Sequence, residues 1–321
     1  MTSQRDSFIS RLFEIAVEDK DVFLISVDMG APSLDRWRSE LPDQFIAAGI
    51  SEQNAINLAA GMSAAGKKVF VYFMASWVAR CFEQIRYSCA MADNPITVLG
   101  NGVGLGYAPA GPAHEPTEDI AYMRSLCGIE IYSPTNSAMA TELADLCCNE
   151  PALRYIRLER KYDAKLDNLY TDFSVSHHFV KRGLSVIFPG LADPPHNNTK
   201  RICMISSGFM LGRTLKAANE LREENHQITV VDLWRVKPIN TDLLCRILSG
   251  YDLIITVEEQ TLSGGFGSAI CEVMCDNGIK SDVLRIGLPE RYIFENANRD
   301  YLIDNNGLSV NSICDKIRKV L

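Results

Sequence analysis

The chain lacks any cluster of basic residues and any long apolar run. Its 321 residues contain 32 Lys and Arg against 40 Asp and Glu, which gives a net charge of −8. An acidic protein without a basic patch is a poor partner for nucleic acid or an anionic membrane surface. No apolar run approaches the roughly 20 residues that a membrane-spanning helix needs, and the first residues lead into an amphipathic helix rather than a signal peptide. We therefore expect a cytoplasmic protein with no nucleic-acid or membrane partner.

Metal-binding motifs are also missing, although cysteine is frequent. The ten cysteines include no C-x-x-C pair and no Cys/His set with zinc-like spacing. The five histidines are too scattered along the chain to form a ligand set. We expect reduced, mostly buried thiols and no metal site on this chain.

Apolar segments of strand length alternate with segments of helix length along the whole sequence. Strands are predicted at 22–27, 69–73, 96–99, 129–132, 154–158, 202–205, 228–233, 253–257 and 283–286, with helices in most intervals, including 4–18, 52–66, 77–91, 136–148 and 209–224. A polar loop with Gly30, Pro32 and Pro42 is expected after the first strand, an irregular hairpin at 179–188 and a loop at 191–200. Such alternation is typical of parallel sheets covered on both faces. The sequence thus predicts two doubly wound α/β domains, residues 1–172 and 173–321.

Glu52 is an unusual residue within this pattern. It occupies the first turn of a helix whose following turns, Ala55 to Met62, are small and uncharged. A glutamate there commonly faces water and favours the helix N-terminus. Because this helix is expected to be buried, its carboxylate needs a partner, which makes Glu52 a candidate functional group.

A glycine-rich loop, 100–114, follows the third predicted strand and ends at His114. It matches neither G-x-G-x-x-G nor a P-loop, so no nucleotide site is indicated. Its glycines allow the backbone to approach a ligand closely, or simply mark a mobile loop. His114, placed between Pro112 and Pro116, is a candidate site residue because the carboxyl ends of parallel strands are where such sheets bind ligands.

Trp77 and Arg80 follow another predicted strand. Trp77 is either a core aromatic or a flat face for a ring ligand, and Arg80 lies one turn later, within reach of an anion or a carbonyl. Ser206 and Ser263 precede second-half helices and are interpreted as N-caps. The residues alone predict a two-domain α/β protein with a pocket around Glu52 and His114.

Taken together, these segments resemble the transketolase family of thiamine diphosphate enzymes. Gly49-Ile-Ser-Glu-Gln-Asn-Ala-Ile-Asn-Leu-Ala-Ala-Gly61 is similar to the family's G-I-x-E-Q/H segment, and Gly111-Pro-Ala-His-Glu-Pro116 to its G-P-T-H segment. The stretch 70–86, with Trp77 and Arg80, and the second-half segments 231–239 and 257–267 also fit. The resemblance runs in order over nearly the whole chain, and implies a pyrimidine-binding domain followed by a transketolase C-terminal domain.

The resemblance implies roles for individual residues. Glu52 matches the glutamate that bonds N1′ of the cofactor's aminopyrimidine, where desolvation favours its protonated form and the helix N-terminus its ionised form. Trp77 matches the aromatic residue that stacks on the pyrimidine, and Phe73 and Arg80 are assigned to the same cofactor site. His114 matches a histidine that faces substrate oxygens and could move protons there. The substrate-binding assignments, which rest on arginines near family phosphate contacts, are Arg5, Arg160 and His114.

Two departures from the family pattern bear on function. The sequence contains no Gly-Asp-Gly, the start of the family segment that holds Mg²⁺ or Ca²⁺ and the diphosphate. The resemblance therefore implies one half of a split transketolase, which needs a separate subunit carrying Gly-Asp-Gly…Asn, in an α2β2 heterotetramer. Ala110 stands where many sugar-phosphate transketolases have a donor-reading Asp, so whether the small sugar or keto substrate is phosphorylated stays open.

The leading interpretation is the C-terminal subunit of a transferase of aldehyde or ketone residues, which moves a two-carbon ketol unit from a ketose to an aldehyde. The E1 β-subunit of a 2-oxo acid dehydrogenase shares this architecture. A deoxyxylulose-phosphate-synthase-like reaction is a further alternative, because Arg80 occurs similarly there. A third, non-enzymatic alternative is a stabilising partner of a complete transketolase, against which the retention of Glu52, Trp77 and His114 argues.

Overall fold

The computed structural model describes residues 2–161, 164–170, 175–188 and 200–321. The predicted division between residues 172 and 173, and the predicted loop at 191–200 except residue 200, lie outside the described residues. The strands are β1 Val22–Ser26, β2 Phe45–Ala47, β3 Lys68–Met74, β4 Ile96–Asn101, β5 Glu130–Tyr132, β6 Arg154–Leu158, β7 Leu184–Phe188, β8 Arg201–Ser206, β9 Gln227–Leu233, β10 Arg235–Lys237, β11 Leu253–Thr261 and β12 Asp282–Leu288.

Thirteen α-helical segments lie among these strands in the described parts of the chain. They are α1 Gln4–Glu18, α2 Ser33–Glu40, α3 Glu52–Ala64, α4 Phe82–Gln84, α5 Asp119–Arg124, α6 Ser137–Asn149, α7 Ala164–Asp167, α8 His177–Arg182, α9 Met210–Glu223, α10 Thr241–Leu248, α11 Phe266–Asp276, α12 Arg299–Ile303 and α13 Val310–Arg318.

The strands form two sheets, and the predicted class of two doubly wound α/β domains is confirmed. The first sheet has the order β10-β5-β6-β4-β3-β1-β2, and the second β12-β11-β8-β9-β7. All neighbours pair in parallel except β10 with β5 and β7 with β9, which are antiparallel edge pairs. The inner strands, such as β4, β6 and β9, are almost wholly buried because helices cover both of their faces.

Two short elements differ from the expectations. The predicted hairpin at 179–188 is wrong, because α8 precedes β7. Ser176 caps α8 by accepting a hydrogen bond from the Phe179 N–H, and Gly183 ends it with a left-handed φ of 85°. The predicted polar loop after β1 contains α2, whose buried Trp37 packs edge-on against Phe13 with ring centroids 5.8 Å apart.

The chain between β3 and β4 is also less regular than the single predicted helix at 77–91. A 3₁₀ segment at Ala75–Cys81 leads through α4 into a π-helical segment at Ile85–Ala90. Departures of this kind from α-helical geometry are frequent at functional sites. Trp77 and Arg80 lie on the 3₁₀ segment, so the irregular backbone determines where both side chains point.

The two sheets share an extensive junction. The strand β10 comes from the second half of the chain but extends the first sheet, and the Ser133 N–H donates to the Trp234 carbonyl oxygen over 2.7 Å. Leu105 and Ala108, from the first half, pack into the apolar core around Met204 and Met210 of the second. The second domain therefore contacts the loop that leads to His114.

All ten cysteines are unpaired and six are buried, which confirms the expectation of reduced, mostly buried thiols. Within the part of the chain that the structure describes, no helix is long and apolar enough to cross a membrane.

Candidate functional site

Glu52 begins α3 and is 5% exposed, so its predicted burial is confirmed. The inner face of α3, including Ala55, Ile56 and Ala59, packs into the first-domain core, which draws the first turn inward with it. The Arg80 Nη1 donates to Glu52 Oε1 over 3.1 Å. Since the Arg80 side chain is 55% exposed, this partner reaches the carboxylate from the solvent side and can leave it again. The sequence suggested both residues but not that they pair.

Trp77 lies close to both Arg80 and His114. The Arg80 guanidinium is 5.4 Å from the centroid of the Trp77 ring, and the His114 imidazole centroid is 6.1 Å from it, with the rings tilted by 58°. Gln53 Nε2 donates to the Arg80 carbonyl oxygen over 3.0 Å, which ties α3 to the 3₁₀ segment. Three separate segments thus bring Glu52, Trp77, Arg80 and His114 together, as the sequence predicts.

Several buried polar atoms beside these residues have no hydrogen-bond partner among the described residues. They are the His114 Nδ1, the Ser76 Oγ and the Asn101 Oδ1. Ser76 follows β3 and Asn101 ends β4, whose strands are neighbours in register. Buried polar atoms are rarely left unpaired, because desolvation costs about 1–3 kcal/mol each. Ordered water enclosed at this end of the sheet would satisfy them.

Sequence reasoning missed Ser76 and Asn101. A signal was available, since both are polar residues at the carboxyl ends of buried strands, where α/β sheets bind ligands. Phe73 is fully buried in the first-domain core. It lies behind the site in this conformation, with no surface that a ligand could touch, and its assignment as a cofactor contact stays a prediction.

Arg5 and Arg160 both lie near Tyr107, which is a further residue that the sequence did not single out. The Arg160 guanidinium is 4.2 Å from the centroid of the Tyr107 ring, and the Tyr107 hydroxyl accepts a hydrogen bond from Asn101 Nδ2 over 2.7 Å. Burial raises the pKa of Tyr107, and the charges of Arg160 and Arg5 oppose that rise. Arg5 is also bound to Asp6, with Nη2 to Oδ2 at 2.8 Å. The two arginines form a cationic edge next to Asn101.

Comparison with known proteins defines the class to which this fold and site belong. The profile described as the transketolase pyrimidine binding domain matches residues 2–162, and the transketolase C-terminal domain matches residues 194–313. The protein is thus a two-domain chain with a pyrimidine-binding domain and a transketolase C-terminal domain. It belongs to the transketolase family, which confirms the resemblance. The expected division near residue 172 lies between the two matches and stays a prediction.

Individual relatives differ in how much of their length the chain covers. A subunit of the apulose-4-phosphate transketolase of Phocaeicola vulgatus is 29% identical over 98% of this chain and 96% of its own length. The "1-deoxy-D-xylulose-5-phosphate synthase" proteins of Caldanaerobacter subterraneus and Chlorobium phaeovibrioides are 28% and 27% identical over 98% of this chain. The chain spans about half of those synthases, 48% and 47% of their lengths.

Solved structures share the fold. The structure described as "Split gene transketolase, inactive beta4 tetramer" superimposes with a TM-score of 0.84 at 24% identity, over 99% of this chain and 98% of that one. A transketolase variant from Pichia stipitis gives 0.78 at 16% identity, over 99% of this chain and 45% of that one. The yeast protein thus contains this two-domain fold as less than half of its chain.

Proposed function

We propose that this chain is the C-terminal (β) subunit of a thiamine diphosphate-dependent transketolase-like enzyme. The enzyme transfers a two-carbon ketol unit from a ketose-type donor to an aldehyde acceptor. A separate subunit holds the diphosphate with Mg²⁺ or Ca²⁺, in an α2β2 assembly. The observation that carries this proposal is the buried carboxylate of Glu52 beside the half-buried face of Trp77 and the unpaired nitrogen of His114.

The residues present fit the pyrimidine half of the cofactor. The Trp77 ring offers an apolar face, and Glu52 offers a buried acceptor and proton carrier for a ring nitrogen. The Arg80 guanidinium holds Oε1 of Glu52 in this structure and, being exposed, can move aside to admit the ring. When bound, thiamine diphosphate supplies the carbon nucleophile that breaks and makes the C–C bond.

His114 and the cationic edge fit the substrate side of the same site. The half-buried His114 imidazole, which faces the Trp77 ring, can hold or move a proton at a substrate oxygen as charge develops there. Arg160 and Arg5, which both lie near Tyr107, can bind an anionic group of a substrate. Asn101 is fully buried and supports this side of the site by binding the Tyr107 hydroxyl.

The need for a partner subunit has two supports. No group of three or more His, Cys, Asp or Glu side chains in the described parts of the chain is arranged to hold a metal ion. The synthases of similar sequence are about twice as long as the segment they share with this chain, and we assign the other half of the site to a second chain. The cytoplasmic location expected from the sequence stays a prediction.

The surface around Glu52 suits such a partner. Exposed apolar side chains cluster on α3, on the residues just before it and at the π-helical segment; we call them the partner face and define it as Ile50, Leu58, Tyr87 and Met91. Ile50, two residues before Glu52, is 74% exposed. The Ser88 hydroxyl donates to Asn57 Oδ1 over 2.8 Å, which joins the two segments into one surface. Exposed apolar patches of this kind mark interaction sites.

A deoxyxylulose-phosphate-synthase-like reaction is the second candidate. Proteins named as such synthases are 26–29% identical to this chain, and Arg80, which occurs similarly in that group, contacts the Glu52 carboxylate. Both candidates need the same half-site, and they differ in the donor. Release of CO₂ from a 2-oxo acid donor, rather than ketol transfer from a ketose, would favour the synthase-like reaction.

The proposal is tested with Glu52→Gln in the complex of both subunits. We expect a fall in turnover on the order of 10²-fold or more, because the amide cannot carry the proton, with unchanged folding and subunit association. The exposed Glu83, which lies on α4, provides the control Glu83→Gln, for which turnover should not change. Near-normal turnover of Glu52→Gln would instead support a non-catalytic stabilising chain.

A further inference from the structure

The loop that carries His114 is held from the second domain. Leu105 is fully buried, and both Leu105 and Ala108 pack into the apolar core of that domain. The 3₁₀ turn at Ala108–Ala110 lies against α12, which begins at Arg299. The position of His114 at the end of this loop therefore depends on contacts outside its own domain.

Arg299 joins the two domains through two carboxylates. Its Nη1 and Nη2 donate to Glu159 of the first domain over 2.7 and 2.9 Å. Its Nε donates to Glu259 Oε1 of the second domain over 2.8 Å, and its Nη2 to Glu259 Oε2. The guanidinium also lies 3.8 Å from the centroid of the Phe209 ring. One rigid planar fork thus fixes both acids, which a lysine could not do.

Glu259 in turn holds the backbone of the loop. Its Oε1 accepts a hydrogen bond from the Leu105 N–H over 3.0 Å. Gly104 has a φ of 56°, and a Cβ at this position would lie 2.5 Å from Glu259 Oε2. Only glycine allows the loop this close to the carboxylate in that conformation. Arg299, Glu259 and the loop therefore form a continuous series of contacts that reaches the segment leading to His114.

We propose that Arg299 is a positioning residue of the second domain, which fixes the 102–114 loop through Glu259 and so places His114 in the site. Glu159 and Glu259 are both buried. The positive guanidinium that binds both carboxylates offsets the repulsion between them at the junction. Catalytic power depends steeply on placement, since a displacement of about 1 Å can cost 10²-fold in rate. The catalytic part of this inference rests on the proposed function, whereas the structural part does not.

The test compares Arg299→Lys with Arg213→Lys. Arg213 is matched in exposure, 13% against 14% for the side chain of Arg299, and its Nη2 binds Asp300 of α12 over 2.7 Å. It also pairs with Asp304, so its ion pairs are made to α12 and its C-terminal end rather than to the loop. Hydrogen exchange of the peptide covering residues 102–110 is measured on the folded chain without any partner. We expect exchange there to be faster by about tenfold or more in Arg299→Lys, and unchanged in Arg213→Lys.

Kinetics of the complex with the partner subunit give the second readout. Arg299→Lys should lower kcat on the order of 10-fold to 100-fold, with half-saturation by thiamine diphosphate unchanged, because Glu52 and Trp77 keep their places. Gly104→Ala, which pushes the loop away from Glu259, should reproduce both effects and decides the matter if Arg299→Lys does not fold. Unaltered exchange at 102–110, or equal effects of the Arg213 variant, would overturn the proposal. If exchange is faster in the isolated Arg299→Lys chain but the wild-type complex never turns over, the structural part of the proposal stands and the proposed function is rejected.

Discussion

Glu115, the residue after His114, is buried, and its Oε1 has no hydrogen-bond partner within the described chain. Burial, together with the nearby carboxylates of Glu259 and Glu295, raises the pKa of Glu115 to about 7. An unfolded chain releases the same proton near pH 4.5. Between these two values the folded state binds the proton more tightly, so the contribution of Glu115 to stability is present at low pH and is lost as the pH rises to about 7.

Glu115→Gln should therefore stabilise the protein relative to the wild type at pH 8 but not at pH 4.5. A shift of this size corresponds to at most about 3 kcal/mol, which thermal unfolding at the two pH values would reveal. Buried Asp232 and Glu258 have pKa values raised to about 7 and about 8. Because both residues are present in the variant and in the wild type, their contributions to the pH dependence of stability cancel in this comparison. The exposed Glu290 gives the control Glu290→Gln. A difference between Glu115→Gln and wild type that does not change with pH would contradict this account.

Some residues with local signals were predictable from the sequence, and those defined by distant contacts were not. The expected N-caps Ser206 and Ser263 are wrong, because α9 and α11 begin after Phe209 and Gly265 without a side-chain cap. Burial of Glu52 followed from the absence of charge on the rest of α3. The contacts of Arg299 did not, because its two acids lie 140 and 40 positions away in the chain. Asn101 could have been noted because it ends its strand. That its oxygen is unpaired could not, because this depends on the hydrogen bond that its amide nitrogen donates to Tyr107 in the folded structure.

At the scale of elements, α3 has one face that packs in the core and one that is exposed. The inner face packs on β3 with Ala55, Ile56 and Ala59, while Leu58 and its exposed neighbours carry no charge after Glu52. An exposed helix face without charge is unusual for a protein of net charge −8, and it adjoins the half-site. This arrangement places the partner face where a second subunit can complete the site.

Leu58→Arg should weaken the affinity for the partner chain about tenfold or more, because the arginine introduces a charge into an apolar contact. Folding should be unaffected, since Leu58 is 38% exposed. Val283 on β12, at 40% exposure, gives the matched control Val283→Arg. The measurement is a binding titration that gives the dissociation constant of the partner chain for each variant. Equal affinities for both variants would show that the partner binds elsewhere.

Long apolar elements were predicted well, and short ones were not. The strands β1, β3 and β9 lie close to their predicted bounds because each contains a mostly apolar segment. The strand β6 matches its predicted bounds although two of its five residues are arginines. The strand β10 has only three residues, and pairs with β5, about a hundred positions earlier, so no local pattern signals it. The helix α8 was read as a hairpin because its six residues are too few for a clear helical period, although Ser176 and Gly183 mark its two ends.

At the scale of the whole molecule, the junction between domains explains why the second half of the chain is needed. That half contributes β10 to the first sheet and the Trp234 carbonyl to the Ser133 N–H. It also fixes the glycine loop through Arg299 and Glu259. The second domain thus acts on the site as a support, while the first domain supplies the side chains proposed to contact cofactor and substrate.

The central claim is that this chain forms half of a site. The most direct test is a titration of the purified chain with a subunit carrying Gly-Asp-Gly…Asn, in which thiamine diphosphate binding and ketol transfer are followed together. Cofactor binding and turnover should be absent in either chain alone, rise with added partner and saturate at one copy of each. Full turnover by the isolated chain would contradict the claim.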